Sequence, residues 1–340
     1  MFKNYVLPFI LFVPLTLIAH RFLYVHADHA QMGHKLAPQC QLQDPPSLSF
    51  RLSYTGLPGL DAQICNYVAV FHSVIVPQNQ THIPIISYFT GAGAPYALLT
   101  ILNRYQRRFR DPLAYPTIWL MLTQIFSYGL TYPIYSLLWV LTSQGRLRQA
   151  IRSITRADAE AILFAMVIGG VIPSIDMVYM LDPNVTWLWQ IYPVFILVAQ
   201  HVYLIFRPPS QTFQSGYSLM RFIYIACFAV ASLTHIILVW PLFWDIPALK
   251  ALFIPSTTPL EPSATLRLIV LHFLKWDFLL GYFAAALSSL WSAHSLYQLI
   301  VMALWYAVSS PVIGIGASVM GLAMWRDGIL SKDEGSLHLE

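Results

Sequence analysis

The sequence predicts an all-α fold, a polytopic transmembrane helical bundle with eight or nine spans. Three observations carry that expectation. Hydrophobic residues make up 57% of the 340 and charged residues only 10%, with a mean hydropathy of +0.60. A soluble domain carries about 25% charged residues, and no water-soluble fold buries so much apolar surface. The apolar runs are also long and continuous, each approaching the ~20 residues that cross ~30 Å of hydrocarbon, whereas a transmembrane barrel shows short alternating segments. The net charge of +4 is spread over short loops, which speaks for membrane orientation rather than nucleic-acid binding.

Nine apolar segments follow in order, roughly 5–24, 62–77, 83–102, 116–141, 158–181, 187–206, 221–244, 268–291 and 296–324. The first has a longer apolar stretch than a signal-peptide core and no clear small-x-small cleavage site, so residues 1–24 read as a retained N-terminal anchor. Residues 25–61 form a non-spanning segment. Segment 62–77 is the weakest, being short and carrying Asn66 and His72. It is compatible with a re-entrant or interfacial helix, hence eight or nine spans. Residues 62–325 make the helical bundle and 326–340 a cytosolic tail. The whole of 1–340 is one integral-membrane domain without an internal repeat.

Arginines concentrate in RYQRRFRDP (104–112) and GRLRQAIRSITR (145–156), at opposite ends of the single segment 116–141. The positive-inside rule cannot satisfy both. The remaining charges favour residues 104–115 and the C-terminus in the cytosol and 78–82 in the lumen. The sequon at Asn79 is then accessible to glycosylation, whereas Asn184-Val185-Thr186 faces the cytosol and stays bare. Of three cysteines, Cys40 and Cys65 flank one hydrophilic segment and can pair if it is lumenal; Cys227 lies in a span.

An ionisable side chain at mid-membrane costs at least ~3 kcal/mol, so such residues are functional candidates. They are Asp176, His201, His235, His272, Lys275 and Asp277. At ~1.5 Å per residue, Asp176 and Lys275 lie about 9–10 Å from the expected cytosolic ends of their spans and Asp277 and His235 near 14 Å, so four polar groups from three spans share a layer. Lys275 and Asp277 are two residues apart and cannot pair on one helix. Gly281 and Ala284 share the Asp277 face and leave room for a neighbouring helix or a ligand. Lys275 shares a face with His272 and can snorkel to the interface. The competing reading of Asp277 is a structural carboxylate that bonds a neighbouring His or Tyr and holds helices together; for Asp176, Pro173 offers a similar structural reason. Most of the ten tryptophans fall near span ends as an aromatic belt. Trp139, Trp240, Trp276 and Trp305 lie deeper, where aromatic faces suit a cation.

Neither DDxxD, DxDD nor NDxxDxxxD occurs, so no ligands for a magnesium-diphosphate group are visible, and P-loop, GxSxG and histidine-box patterns are missing too. The run AHRFLYVHADHAQMGHK has a spacing that matches no metal site. No cofactor is expected.

Four stretches together carry a resemblance: YTGLPGLDAQICNYVAVFHSVI (54–75), GLTYPIYSLLWVL (129–141), GGVIPSIDMVYM with WQIYPVFILVAQ (169–200), and HFLKWDFLLGY (272–282). Over roughly residues 50–325 the chain resembles the fungal membrane-bound terpene cyclases of meroterpenoid pathways, of the type acting in ascochlorin, ascofuranone and macrophorin biosynthesis. That resemblance implies a multi-pass protein of the endoplasmic reticulum in secondary metabolism. It implies protonation of a terminal epoxide or alkene on a prenylated (farnesyl) aromatic or other meroterpenoid substrate, without metal or diphosphate loss. Two positions depart from the pattern: Lys275 stands where a neutral residue usually precedes the tryptophan, and Asp176 where relatives carry an apolar residue.

Protonation needs a carboxylic acid kept neutral until used, which burial favours. Asp277 fits by depth, with Asp176 as a second acid and His235 as the base that removes the final proton. Lys275, Trp276, His272, Gly281 and Trp240 are the expected substrate contacts. The partners are then the prenylated substrate and membrane lipid. The alternative is a transporter of a lipophilic metabolite, with Asp176, His235 and Asp277 as a proton relay.

Overall fold

The computed structural model describes residues 5–41, 50, 52–75, 85–105, 111–143 and 154–337. The described regular structure is helical, with one isolated β-bridge between Thr155 and Ser215. Helix starts fall where a short polar side chain meets an apolar run. Thr155, Asp182, Asp245, Thr265 and Ser295 each accept a hydrogen bond from a first-turn backbone N–H, satisfying donors the helix leaves open.

The first rod is α1 (Leu7–His20), continued by a π-helical turn (Arg21–Val25) into α2 (His26–His29). Helix α3 (Met32–Leu36) and α4 (Pro58–Ile75) form a cap with the 3-10 turn Ala37–Cys40, closed by a Cys40–Cys65 disulfide of 2.06 Å. In this cap the Asp61 carboxylate accepts from the Thr55 N–H (2.8 Å) and hydroxyl (2.7 Å). Burial, with the Asp182 and Asp61 charges nearby, pushes the Tyr54 hydroxyl up to about 12. Helix α5 (Ile85–Asn103) follows, then α6 (Pro116–Phe126) and α7 (Tyr128–Ser143). Helix α8 (Arg156–Ala165) runs through a second π-helical turn (Met166–Val171) into α9 (Ile172–Met180); α10 (Pro183–Gln190) meets α11 (Tyr192–Phe206) at 65°. The chain ends with α12 (Tyr217–Val239), α13 (Ile246–Phe253), α14 (Leu266–Ser289), α15 (Leu296–Ile313) and α16 (Ile315–Leu337).

Among the described residues, five helical rods are long and apolar enough to cross a membrane: Leu7–His29, Arg156–Met180, Tyr217–Leu242, Leu266–Ser292 and Leu296–Ile313. The bent pair α10–α11 makes up to six. The chain is thus an all-helical, multi-span integral membrane protein.

Two segments that read as single spans are not single helices. Residues 116–141 break at Ser127, whose φ is +75°, and α6 and α7 fold back on each other. Trp119 packs edge-on against Tyr135 (5.3 Å), and the Thr131 hydroxyl donates to the Leu122 carbonyl (3.1 Å). At about 1.5 Å per residue, α6 reaches only ~16 Å, half the hydrocarbon thickness. Residues 296–324 break at Gly314, φ +89°. There Trp305 Nε1 donates to the Ser318 carbonyl (2.8 Å) and Ser309 to the Ser318 hydroxyl (2.7 Å), which pins α15 against α16.

The bundle has two distinguishable ends. At one, the start of α5 (Tyr88), the end of α12 (His235) and the α15–α16 tip meet, near the cap helices. At the other, Tyr224 on α12 donates to Asp327 on α16 (2.5 Å), and Trp139 near the end of α7 donates to Asn103 at the end of α5 (3.2 Å). Arg104, Arg156, Arg207, Arg221 and Arg326 belong to this second, basic end. Both arginine-rich runs join helix ends that lie there; their residues 106–110 and 144–153 fall outside the described residues, as does Asn79.

Candidate functional site

At the tip of the α6–α7 hairpin, Gly129 is buried against α14 while Ile125 and Phe126 stay half exposed, and at membrane depth such broken backbone is tolerated only if its polar groups find partners. They do. Tyr24 donates to the Phe126 carbonyl (2.6 Å) and Tyr67, more distantly, to the Ile125 carbonyl (3.5 Å), satisfying the end of α6. At the start of α7, Ser127 Oγ accepts from the Leu130 N–H (3.3 Å), and Asp277 Oδ1 accepts from the Gly129 N–H at 2.5 Å. Asp277 is buried near the middle of α14, with the Ser127 hydroxyl and Tyr128 N–H alongside its carboxylate. It therefore caps another helix across the bundle, where the positive end of the helix dipole stabilises negative charge.

The close approach of α7 and α14 depends on two glycines. A Cβ on Gly129 would sit 2.8 Å from the Asp277 carbonyl oxygen, and one on Gly281 would run into the Tyr128 ring. The space beside Gly281 is thus filled by the neighbouring hairpin.

Asp277 borders a cavity of about 930 Å³ enclosed by parts of α5, the α6 tip, α9, α12, α14 and the cap. Its inner wall is rich in tyrosine. Tyr96 packs edge-on against Tyr282 (4.4 Å), Tyr128 (5.5 Å) and Tyr132 (5.6 Å), and Tyr128 lies 4.7 Å from Tyr132. The hydroxyls of Tyr96 and Tyr128 are buried close to one another and have no other hydrogen-bond partner, although buried hydroxyls are normally fully paired. Both residues line the cavity.

The other sequence-predicted residues go elsewhere. His235 is engaged at both ring nitrogens: Nε2 donates to the Pro311 carbonyl at the end of α15 (2.9 Å) and Nδ1 faces the Tyr88 hydroxyl on α5 (2.9 Å). Because a carbonyl can only accept, Nε2 carries the proton and Nδ1 is the acceptor. Trp240 donates to the adjacent Val312 carbonyl (2.7 Å). His272 pairs with His26 (3.2 Å), Lys275 donates to the Ala251 carbonyl, and Trp276 stacks on Phe22 (3.9 Å) while donating to the Ser256 carbonyl (3.0 Å). These three tie α14 to the first rod and to the 251–256 chain. Asp176 is half-buried on α9 and is not part of the cavity wall, unlike Ser174, Ile175 and Val178 around it. Of the eight side chains expected at the site, only Asp277 borders the cavity. Among the described residues, no group of three or more His, Cys, Asp or Glu is placed to hold a metal ion.

Sequence reasoning missed Ser127, Gly129 and the tyrosines of the cavity. The stretch SYGLTYPIY (127–135) carried a signal: a glycine and three tyrosines, two of them on the cavity wall, inside an apolar run with basic clusters at both ends. No curated protein and no solved structure compared with the chain matches it. The CtvD domain profile matches residues 5–331, nearly the whole length, and the chain belongs to that family.

Proposed function

We propose that the protein is a metal-independent, membrane-bound terpene cyclase of fungal meroterpenoid biosynthesis, with Asp277 as its acid. One observation carries this reading. A buried carboxyl group, one oxygen of which is held at a helix N-terminus, borders a large apolar cavity rich in aromatic faces. The volume is at the upper end of the ~300–1,000 Å³ of small-molecule sites, which suits a farnesylated ring. The proton passes from Asp277 to a terminal epoxide oxygen or alkene carbon. The anion left behind is stabilised by the Gly129 N–H and the α7 dipole. Ring closure then moves positive charge along the prenyl chain, where the tyrosine faces attract it and the dry cavity protects it from water. Loss of a proton, returned to the Asp277 carboxylate, ends the cycle. The substrate is neither gained nor lost in atoms, so the reaction is an isomerisation. The Tyr96 and Tyr128 hydroxyls, which have no partner beyond one another, can bind an oxygen of the substrate. The transporter reading needs an Asp–His relay. The engaged nitrogens of His235 and the separate position of Asp176 favour the cyclase over it.

In the membrane, the fold is read as eight crossings plus the α6–α7 hairpin as a re-entrant element. Helices α5 and α16 cross because they run alongside α12 from His235 to Tyr224. This resolves the conflict between the arginine runs: both attach to the basic end, which the positive-inside rule puts in the cytosol together with both termini. The cap, its disulfide and Asn79 then face the lumen of the endoplasmic reticulum, an oxidising compartment. Residues 181–187 change sides relative to the single-span expectation. Asn184 is lumenal too, yet it stays bare because its Thr186 is buried against His72 (2.9 Å).

The deciding experiment supplies microsomes bearing wild type or Asp277→Asn with a farnesylated phenol as terminal epoxide and as alkene. A cyclised isomer from wild type alone supports the proposal; equal product from both variants removes Asp277 as the acid.

A further inference from the structure

The cavity has a side wall as well as a floor. Helix α9 packs mainly on α10 and on the π-helical turn that precedes it, whereas α12 packs on α5, on α16 and on α8, the other half of the α9 rod. Between α9 and α12 the residues that line the cavity are also surface residues. Val171 (42% exposed), Ile175 (50%) and Tyr179 (83%) recur every four positions and so occupy one helix face. Val230 on α12, 48% exposed, also lines the cavity. Both helices belong to rods apolar enough to cross the membrane, so this rim meets hydrocarbon. A gap rimmed by valine, isoleucine and a tyrosine ring offers nothing to an ion or to water. Ser174 and Thr234 also line the cavity, but their hydroxyls donate to the Gly170 and Val230 carbonyls of their own helices, so an alkyl or prenyl chain meets mainly apolar contact from bilayer to cavity.

We propose that the gap between α9 and α12 is a lateral portal, through which a lipid-dissolved molecule with a flexible apolar chain reaches the cavity directly from the bilayer. The portal lies toward the disulfide-capped end, since Met177 on α9 packs with Val270 and Leu274 near the start of α14. The inference concerns access and does not depend on the chemistry at Asp277.

The test needs no substrate. A Cβ on Gly93 meets nothing within 4 Å, and Gly93 lines the cavity. Gly93→Cys therefore places a thiol in the void, with Cys227→Ala removing the free cysteine and Cys40–Cys65 left paired. Ala94→Cys, also on the wall, serves as a second reporter should the first fail to fold. The full chain is reconstituted in liposomes and treated with N-dodecylmaleimide or with a charged, impermeant thiosulfonate present on both sides. The alkyl reagent should label the introduced thiol at least about tenfold faster than the charged one, since an ion is excluded from a dry apolar path. Ile175→Trp with Val230→Trp should slow that labelling, while Leu233→Trp, exposed but off the cavity wall, should not. Rapid labelling by the charged reagent would overturn the portal in favour of an aqueous opening. Absence of labelling by either reagent, or indifference to the paired tryptophans, would overturn it too.

Discussion

The molecule contains two helical hairpins that solve one problem in different ways. Each turns an apolar run back on itself at a residue with positive φ, and each must satisfy backbone groups that a continuous helix would pair. At the α15–α16 tip the turning residue is Gly314, free to adopt φ +89°. The α15 carbonyls there are met by His235 and Trp240, at the capped end of the bundle. At the α6–α7 tip the turning residue is Ser127, held at a φ that disfavours side chains. Here the partners are Tyr24, Tyr67 and Asp277, and the tip borders the cavity. The first hairpin is what stability alone would select. The second accepts strain and a buried carboxyl in order to bring a helix N-terminus to the cavity wall.

The comparison breaks most sharply at Asp277. An asparagine keeps a side-chain oxygen for the Gly129 N–H and loses only the acidic proton. Asp277→Asn should therefore fold like the wild type in a detergent thermal-shift measurement, while cyclisation falls by about 10²–10⁴-fold, the usual contribution of a general acid. Asp277→Ala removes the acceptor as well, and should lower stability by about 1–3 kcal/mol. If Asn and Ala unfold alike, the carboxyl is structural and the two hairpins differ only in position.

Much of the bundle was legible in the sequence because lipid demands long apolar helices, and 5–24, 158–181, 221–244 and 268–291 each correspond to a described rod. Hydrophobicity could not show the hairpins. A 26-residue apolar run is equally consistent with one tilted span or two half-length helices, since both faces meet protein or lipid. The sign that 116–141 was not a span was electrostatic: arginine clusters at both of its ends. Asp277 could be singled out because a carboxyl at mid-membrane is costly. His235, His272 and Lys275 shared that signal, yet His235 and Lys275 donate to backbone carbonyls and His272 pairs with the His26 ring. Depth along a helix identifies expensive residues, and only the three-dimensional partner distinguishes an acid from a clasp.

The next contrast is at the turning residues. A Cβ on Gly314 would lie 2.8 Å from His235 Cβ in a backbone region that β-branched residues avoid. Gly314→Val should cost about 2–3 kcal/mol, seen as a lowered melting temperature. With φ +75° and ψ 153°, Ser127 sits in a backbone region nearly confined to glycine, so Ser127→Gly relieves about 1–3 kcal/mol of strain and loses an N-cap, a change of a few tenths of a kcal/mol when the replacement is glycine. It should leave stability unchanged or slightly raised. A marked loss on Ser127→Gly would mean that the serine side chain, rather than the backbone turn, fixes the tip.

The smallest effects separate the two tyrosines that end α6. Tyr24 reaches the Phe126 carbonyl at 2.6 Å, whereas Tyr67 is 3.5 Å from the Ile125 carbonyl, at the limit of a hydrogen bond. A typical intramolecular hydrogen bond contributes about 1 kcal/mol net. Tyr24→Phe should therefore lower the melting temperature measurably and Tyr67→Phe much less. Tyr24 belongs to the first rod, so its bond also fixes that rod against the hairpin, whereas Tyr67 belongs to the cap. Should Tyr67→Phe prove the more damaging, the cap rather than the N-terminal rod holds the hairpin tip in place, and the Asp277–Gly129 contact would then depend on the disulfide-closed cap.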